Sequence, residues 1–499
     1  MTAQPATSRP AAHIARRTTT LWQVVLIVAA TVAVHHRIYT IPFTYSEIAG
    51  IERNRVVTSP TEFFARMMTP KGLLHRPISV FSYTLNYAVH GKDVAGFHLV
   101  NLVIHCANAV LVYLLARDFF AAPLVGGLVF GLHPLATACV GQIFGRNYSL
   151  ATTFFLIALY CYLRWRRRGP LSAAQLAVMI LLFGLAVLTK QTLVVLPLVV
   201  AWHEIRIRNV GLRRLGDLLG SSWRTAFVAA FAVVLGLELA ALYAVPLSKT
   251  AAIPPLAFLL SQIANAPVIA GFFLLPYQTA FIHELYVYDS VAHVEVWIGF
   301  ALVIAIVVIA YRWRTQPIPW LIGALVLCLL PTNSVLPKNE IVREWRLYPS
   351  LPFYALLVGA VYALTHRWLS ARAASPMLRA ALPAALALYL ASYAHTDVLQ
   401  NRAYQTELDA WRSVLARYPY SADAMNNIGL EYYRARDFAQ AVVYFERATL
   451  AAPDVWLYRQ NLAHAYSAGG EHELAQQHWA AAKELRTKFG PRRMIVHYR

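Results

Sequence analysis

Long apolar runs, separated by short polar or basic ones, fill the first 396 residues, a pattern that predicts helices crossing a bilayer. A crossing takes about 17 to 25 predominantly apolar residues, and residues 21–40 are the first such run. Further spans are predicted near 97–116, 123–138, 150–163, 171–188, 192–202, 226–244, 296–311, 320–331, 351–364 and 380–394. In the second span, GFHLVNLVIH (96–105) puts His98, Asn101 and His105 on one helical face. Polar groups are costly in hydrocarbon. That face is therefore expected to turn inward and hydrogen-bond to other segments, fixing how the span packs.

Composition agrees with a membrane protein: 58% of the 499 residues are hydrophobic and 14% charged, with mean hydropathy +0.49. The formal charge of +20 is spread over short clusters between apolar runs, including Arg16–Arg17, RWRRR at 164–168 and RWR at 312–314. This is the distribution of cytoplasmic loops, and it argues against a nucleic-acid surface, which gathers its charge on one domain. Placing those clusters inside gives about eleven crossings, with the N-terminus cytoplasmic and the C-terminal region outside. The first run lacks a small-residue cleavage site and reads as an anchor. Segment 254–276 breaks the count, because one more crossing would expose the 312–314 cluster to the outer face. It is therefore predicted to be an interfacial or re-entrant helix pair. The four cysteines have no metal-like spacing, and no metal is expected.

Beyond residue 396 the pattern becomes that of a soluble protein and repeats itself. Asn427, Tyr432, Ala441, Phe445 and Ala448 recur 34 residues later as Asn461, Tyr466, Ala475, Trp479 and Ala482, the period of tetratricopeptide helix pairs. Two units fall short of the roughly three that an array needs, so a helix around 404–418 or the membrane domain is expected to cap them. The predicted organisation is a cytoplasmic tail (1–20), an all-α membrane domain (21–396) with a first external loop at 41–96, a repeat domain (397–489) and a basic tail (490–499).

The motifs YSEIAGIERN, HRPISVFSYTLNY, GFHLVNLVIH, HPLATACVGQIFGR, LTKQTLVVLP and EWRLYPSLPF, in that order and followed by the repeats, resemble the transmembrane and tetratricopeptide-repeat glycosyltransferases. These are allied to the protein O-mannosyltransferases of the GT-C fold. The resemblance implies an inverting transferase that moves a sugar from a polyprenyl-phosphate donor to a hydroxyl of an exported protein, with no other cofactor. Such chemistry needs a carboxylate to take the acceptor's proton and cations to stabilise the departing phosphate. Where the family has an acidic pair in the first loop, this chain has Ser46-Glu47, so Glu47 is the candidate base and Glu52 a weaker alternative. Arg76, Arg146, Lys190 and Arg346 are the candidate phosphate ligands. His98 and Tyr348 are assigned to substrate contact or to structure.

Two further departures, Ala138 in HPLATA and Gln191 after Lys190, remove acids that the family commonly carries. With Ser46 they support a rival reading, a scaffold or assembly protein that keeps the fold without the chemistry and acts through its repeats. An oligosaccharide ligase or polymerase is a further alternative, though its large external loop would come late in the chain. The expected partners are the lipid-linked sugar, an acceptor or partner protein at the repeats, and membrane lipid. The expected location is the bacterial inner membrane, with the repeats extracytoplasmic.

Overall fold

The computed structural model describes residues 9–69, 76–208, 253–275, 282–333, 340–372 and 375–489, and among these every helix-length element is α-helical or a short 3-10 or π turn, with no strand. The predicted span at 226–244 and the basic tail lie outside the described residues.

Helix α1 (Arg9–Val34) leads into the first polar loop, which carries α2 (Pro60–Met67) and α3 (Pro77–His90). Next come α4 (Val94–Phe119), α5 (Pro123–Leu132), α6 (Arg146–Arg166), α7 (Ala173–Thr189) and α8 (Leu196–Arg208). Helix α4 starts where Asp93 caps it, accepting from the Ala95 N–H at 3.0 Å. Helix α7 starts at a reciprocal Ser172/Gln175 capping box. The glycines of PLVGGLVFGL let α5 lie close against α1: a Cβ on Gly127 would stand 2.4 Å from Ile27, and one on Gly131 would stand 2.3 Å from the Thr31 hydroxyl. Small residues at a helix contact allow this backbone approach where lipid offers no hydrophobic drive. Tyr113, Phe130, Phe155, Trp320 and Phe353 fill the shared core.

Two segments bend. Helix α5 turns by 50° into residues 134–140, where the sequence predicted a simple span at 123–138. Pro134 explains the break, since it has no N–H to donate. Helices α9 (Pro255–Ala264) and α10 (Ala266–Leu274) meet at 48°, in the stretch predicted to be an interfacial or re-entrant pair. Its polar groups are satisfied by protein: Gln262 Nε2 donates to Ile341 O at 2.7 Å, and Asn265 Nδ2 to Ser261 O at 2.8 Å. Then follow α11 (Val294–Arg312), α12 (Pro317–Leu329), α13 (Leu351–Ala371) and α14 (Pro376–Ala403). By length and hydropathy, five described helices can cross a membrane, or seven if each bent pair is one span. Eleven crossings are not reached by that criterion, partly because α7 and α12 are short and α6 carries polar residues. The apolar spans make the chain an integral membrane protein.

Helix α14 runs without a break through residue 397, where a domain boundary was expected. Its buried Asp397 accepts from the Thr137 hydroxyl and faces His35 at 3.4 Å, tying the last span to the first and to the bend after α5. Helix α15 (Glu407–Arg417) follows, then two hairpins at the 34-residue period, α16 (Ala422–Arg434) with α17 (Phe438–Ala451) and α18 (Trp456–Ala468) with α19 (His472–Phe489). Ala441, Phe445, Ala448, Ala475 and Ala482 are buried between the helices, whereas Trp479 remains exposed. Helix α15 occupies the capping position predicted for it, with Leu415 packed against Ala422 and Met425. The repeats also rest on the membrane part: the Ser421 hydroxyl donates to Glu284, and Ala410 packs with Ile38 and Ile41.

Candidate functional site

A cavity of about 660 Å³ opens beneath the first loop, lined in part by Arg76, Asn147, Tyr148, Lys190, Trp345 and Arg346. It falls within the size range of small-ligand sites. Among the described residues, three cations from distant parts of the chain reach it, and no acidic side chain lines it.

Each cation is placed by a different local device. Arg76 precedes Pro77 at the start of α3 and has φ +55°, a left-handed conformation that costs a non-glycine residue about 1 kcal/mol or more. Lys190 ends α7; its ammonium lies 4.6 Å from the centroid of the Tyr148 ring, a cation–π contact. Ser79, on α3, donates to Thr189 O at 2.9 Å and so pins that end of α7 to the loop. Arg346 lies in the short helix Glu344–Leu347, where Nη1 donates to Glu340 O at 3.0 Å and Nη2 approaches Glu340 Oε2 at 3.5 Å. Glu340 also pairs with Arg343. Burial alone would raise the Glu340 carboxyl, but the two arginines hold it below the ordinary carboxylate range. The arginine fork suits phosphate oxygens, and lysine adds a point charge.

Glu47 is 2% exposed and does not line the cavity. Its Oε2 accepts from Thr44 N at 2.9 Å and its Oε1 from Phe144 N at 3.2 Å. Phe144 is itself a lining residue, so the carboxylate sits directly behind the wall. The Phe144 ring is seated against Gly50, where a Cβ would lie 2.4 Å from Cζ. Burial raises the Glu47 pKa from its ordinary 4.5, and the hydrogen bonds from Thr44 and Phe144 oppose that rise. The neighbouring Ser46 offers no carboxylate; its hydroxyl lies 3.2 Å from Thr44 Oγ1. Glu52 is on the surface, paired with Lys92 at 2.8 Å and outside the lining.

Arg146 also lies outside the lining. Its guanidinium is fully buried and donates to Asn101 Oδ1 (2.7 Å), Asn86 Oδ1 (2.6 Å), Phe97 O (2.9 Å) and Ser82 O (3.2 Å). All four acceptors are neutral, so Arg146 ties α3, α4 and α6 together under the site. The polar face of α4 faces inward: His98 Nε2 lies 2.9 Å from Ile41 O, and Asn101 Nδ2 donates to Gln142 O at 3.2 Å. His105 lies 2.9 Å from the Tyr348 hydroxyl, which also accepts from Asn108 Nδ2 at 3.1 Å. His98 and Tyr348 therefore brace the site without lining it.

Sequence reasoning missed Tyr148, Trp345, Asn147 and Gln191 as lining residues. The signal was their position: Trp345 and Gln191 stand beside Arg346 and Lys190 in their motifs, and Asn147 and Tyr148 directly follow the motif that ends at Arg146, so whatever places the cation also places the neighbour.

No protein-family model matches the chain. Curated relatives do: it is 32% identical to "Protein O-mannosyl-transferase Tmtc2" of Drosophila melanogaster over 33% of this chain and 19% of that protein. It is 22% identical to "Protein O-mannosyl-transferase TMTC3" of Mus musculus over 94% of this chain and 55% of the relative. The chain thus spans about half the length, or less, of the curated relatives it matches. Among solved structures, ArnT from Cupriavidus metallidurans bound to undecaprenyl phosphate aligns with TM-score 0.40 and 15% identity over 94% of this chain and 78% of that one, too distant a likeness to carry over a site. Along 94% of its length the chain is thus similar, at 21–22% identity, to curated protein O-mannosyl-transferases of mouse and human.

Proposed function

We propose that this protein is a membrane glycosyltransferase that takes a sugar from a polyprenyl-phosphate donor and places it on a hydroxyl of an exported protein. The observation that carries the reading is the convergence of Arg76, Lys190 and Arg346 in one cavity that no acid among the described residues lines. The names of the curated relatives support the reaction class. The acceptor oxygen attacks the anomeric carbon while its proton passes to Glu47. The bond from sugar to phosphate breaks on the opposite side, giving inversion, and the three cations stabilise the departing phosphate. Tyr148 and Trp345 provide aromatic faces for the sugar. The raised pKa of Glu47 suits a base, since proton transfer is most effective when the base's pKa approaches the working pH.

One observation favours the rival scaffold: both Glu47 oxygens are already held by main-chain N–H groups behind Phe144. The two readings separate in cells producing wild type, Glu47→Gln or Arg346→Ala at equal protein levels, with glycosylation of exported proteins as the readout. Transfer predicts the same glycoform lost in both variants. Full modification with Glu47→Gln discards Glu47 as the base, and a glycoform indifferent to removal of the whole protein favours the scaffold.

A further inference from the structure

The first cavity lies at one end of α6, where Tyr148 lines it. At the other end of that helix, 18 residues on and so about 27 Å away at 1.5 Å per residue, a second cavity of about 360 Å³ is lined by residues that include Arg166, Arg167, His203, Arg206 and Phe120. The distance matches the thickness of a bilayer's hydrocarbon core, about 30 Å. The two cavities therefore lie at opposite ends of α6, the second beside the basic run at 164–168.

We propose that this second cavity binds a phosphate-bearing anion. Among the described residues three guanidinium groups line it and no carboxylate does. The nearest acids among the described residues are already engaged: Glu204 with Arg166 (2.6 Å) and the Tyr162 hydroxyl (2.8 Å), Asp118 with Arg117 (2.7 Å) and the Tyr160 hydroxyl (2.6 Å). Glu204 offsets the charge of Arg166, which leaves Arg167 and Arg206 as the net positive charge of the pocket. Both are held in place. Arg167 donates to Asp118 O and lies 4.3 Å from the Phe119 ring centroid, and Arg206 Nε donates to Thr315 O at 3.2 Å. Among the described residues the two Nη groups of Arg206 meet no acceptor, and a guanidinium has five donors to satisfy. Held forks with donors to spare suit phosphate oxygens. Phe119, Phe120 and Leu163 give the cavity an apolar wall, as expected of a basic pocket between spans that takes an anionic lipid headgroup. A soluble diphosphate shares the same recognition chemistry.

The test uses the full chain purified in a neutral detergent, with native mass spectrometry counting bound dioleoylphosphatidylglycerol or inorganic diphosphate, and dioleoylphosphatidylcholine as the zwitterionic comparison. Each titration is repeated in the Arg346→Ala background, so that anions in the first cavity are not counted. The expected result is at least tenfold weaker binding of one equivalent in the Arg167→Gln/Arg206→Gln variant. Arg164→Gln/Arg168→Gln, which removes the same two charges from exposed positions outside the lining, should change binding less than twofold. Should the double variant fail to fold, Thr315→Glu, at an exposed lining position, is expected to weaken binding similarly. Preference for the lipid assigns the pocket to a headgroup and preference for diphosphate to a soluble anion; either upholds the site. Equal loss with Arg164→Gln/Arg168→Gln, unchanged binding in the folded pocket variants, or no binding of either probe overturns it.

Discussion

At the scale of single residues, cations of one chemical type have separate duties. Arg146 and Arg346 stand in similar motifs, yet one is sealed under the site and the other lines it. Nothing in the residue type or spacing distinguishes them; the difference is which acceptors the fold brings near. Replacing Arg146 with Met should leave Asn86, Asn101 and Phe97 O short of a donor and destabilise the protein by about 3 kcal/mol, read as a lowered unfolding midpoint in detergent. Arg76 should behave in the opposite way. Arg76→Gly relieves the φ +55° strain and is expected to leave stability unchanged or raise it by up to about 1 kcal/mol, while weakening donor binding. Arg76→Gln retains the strain and loses the binding as well. Glu47 was legible in sequence as an acid in the right loop, but its sequestration behind Phe144 was not, because that depends on residues almost a hundred positions apart. If Glu47 is the base, transfer requires it deprotonated, so the rate falls as pH drops through its pKa. Burial moves that inflection above the ordinary 4.5, and a pH profile of kcat/KM should place the acid limb there; an inflection at or below 4.5 would point to a different base.

At the scale of elements, apolar runs foretold most of the described helices well, since a bilayer leaves little alternative to a helix. The bend after α5 and the continuity of α14 through residue 397 were not legible: the first depends on Pro134 together with what packs around it, the second on Asp397 finding Thr137 and His35 far away in the chain. The inward face of α4 was readable from spacing alone, though its partners were not. In the repeats, the 34-residue period marked Phe445 as a core residue, and it is fully buried. Phe445→Ala should cost about 3–5 kcal/mol, seen as early loss of repeat helicity in circular dichroism.

The docking of the repeats has a further, pH-dependent component. Glu284 receives the Ser421 hydroxyl, and burial, with a smaller contribution from Asp423, raises its pKa from 4.5 to about 7. A carboxyl with a raised pKa in the folded state contributes its stability below pH 4.5 and loses it as pH climbs through 7. Protease accessibility of the turn between α14 and α15 should therefore rise between pH 5 and pH 8 in wild type, and Glu284→Gln should flatten that rise. A pH-independent wild-type pattern would remove Glu284 from the docking contact.

At the scale of the whole molecule, the membrane part sets two charged cavities at opposite ends of α6, and the repeats rest on the loops around Glu284 and Ile41. The cavities themselves were not legible, because each is the space left between helices whose tilt and bend follow from packing.

The central claim is that Arg76, Lys190 and Arg346 form one phosphate site. Equilibrium binding of a polyprenyl phosphate to the purified chain tests it most directly. Arg346→Gln and Lys190→Gln should each weaken binding about tenfold, equivalent to about 1.4 kcal/mol, with Arg164→Gln unchanged. Wild-type affinity in both cavity variants would contradict the account.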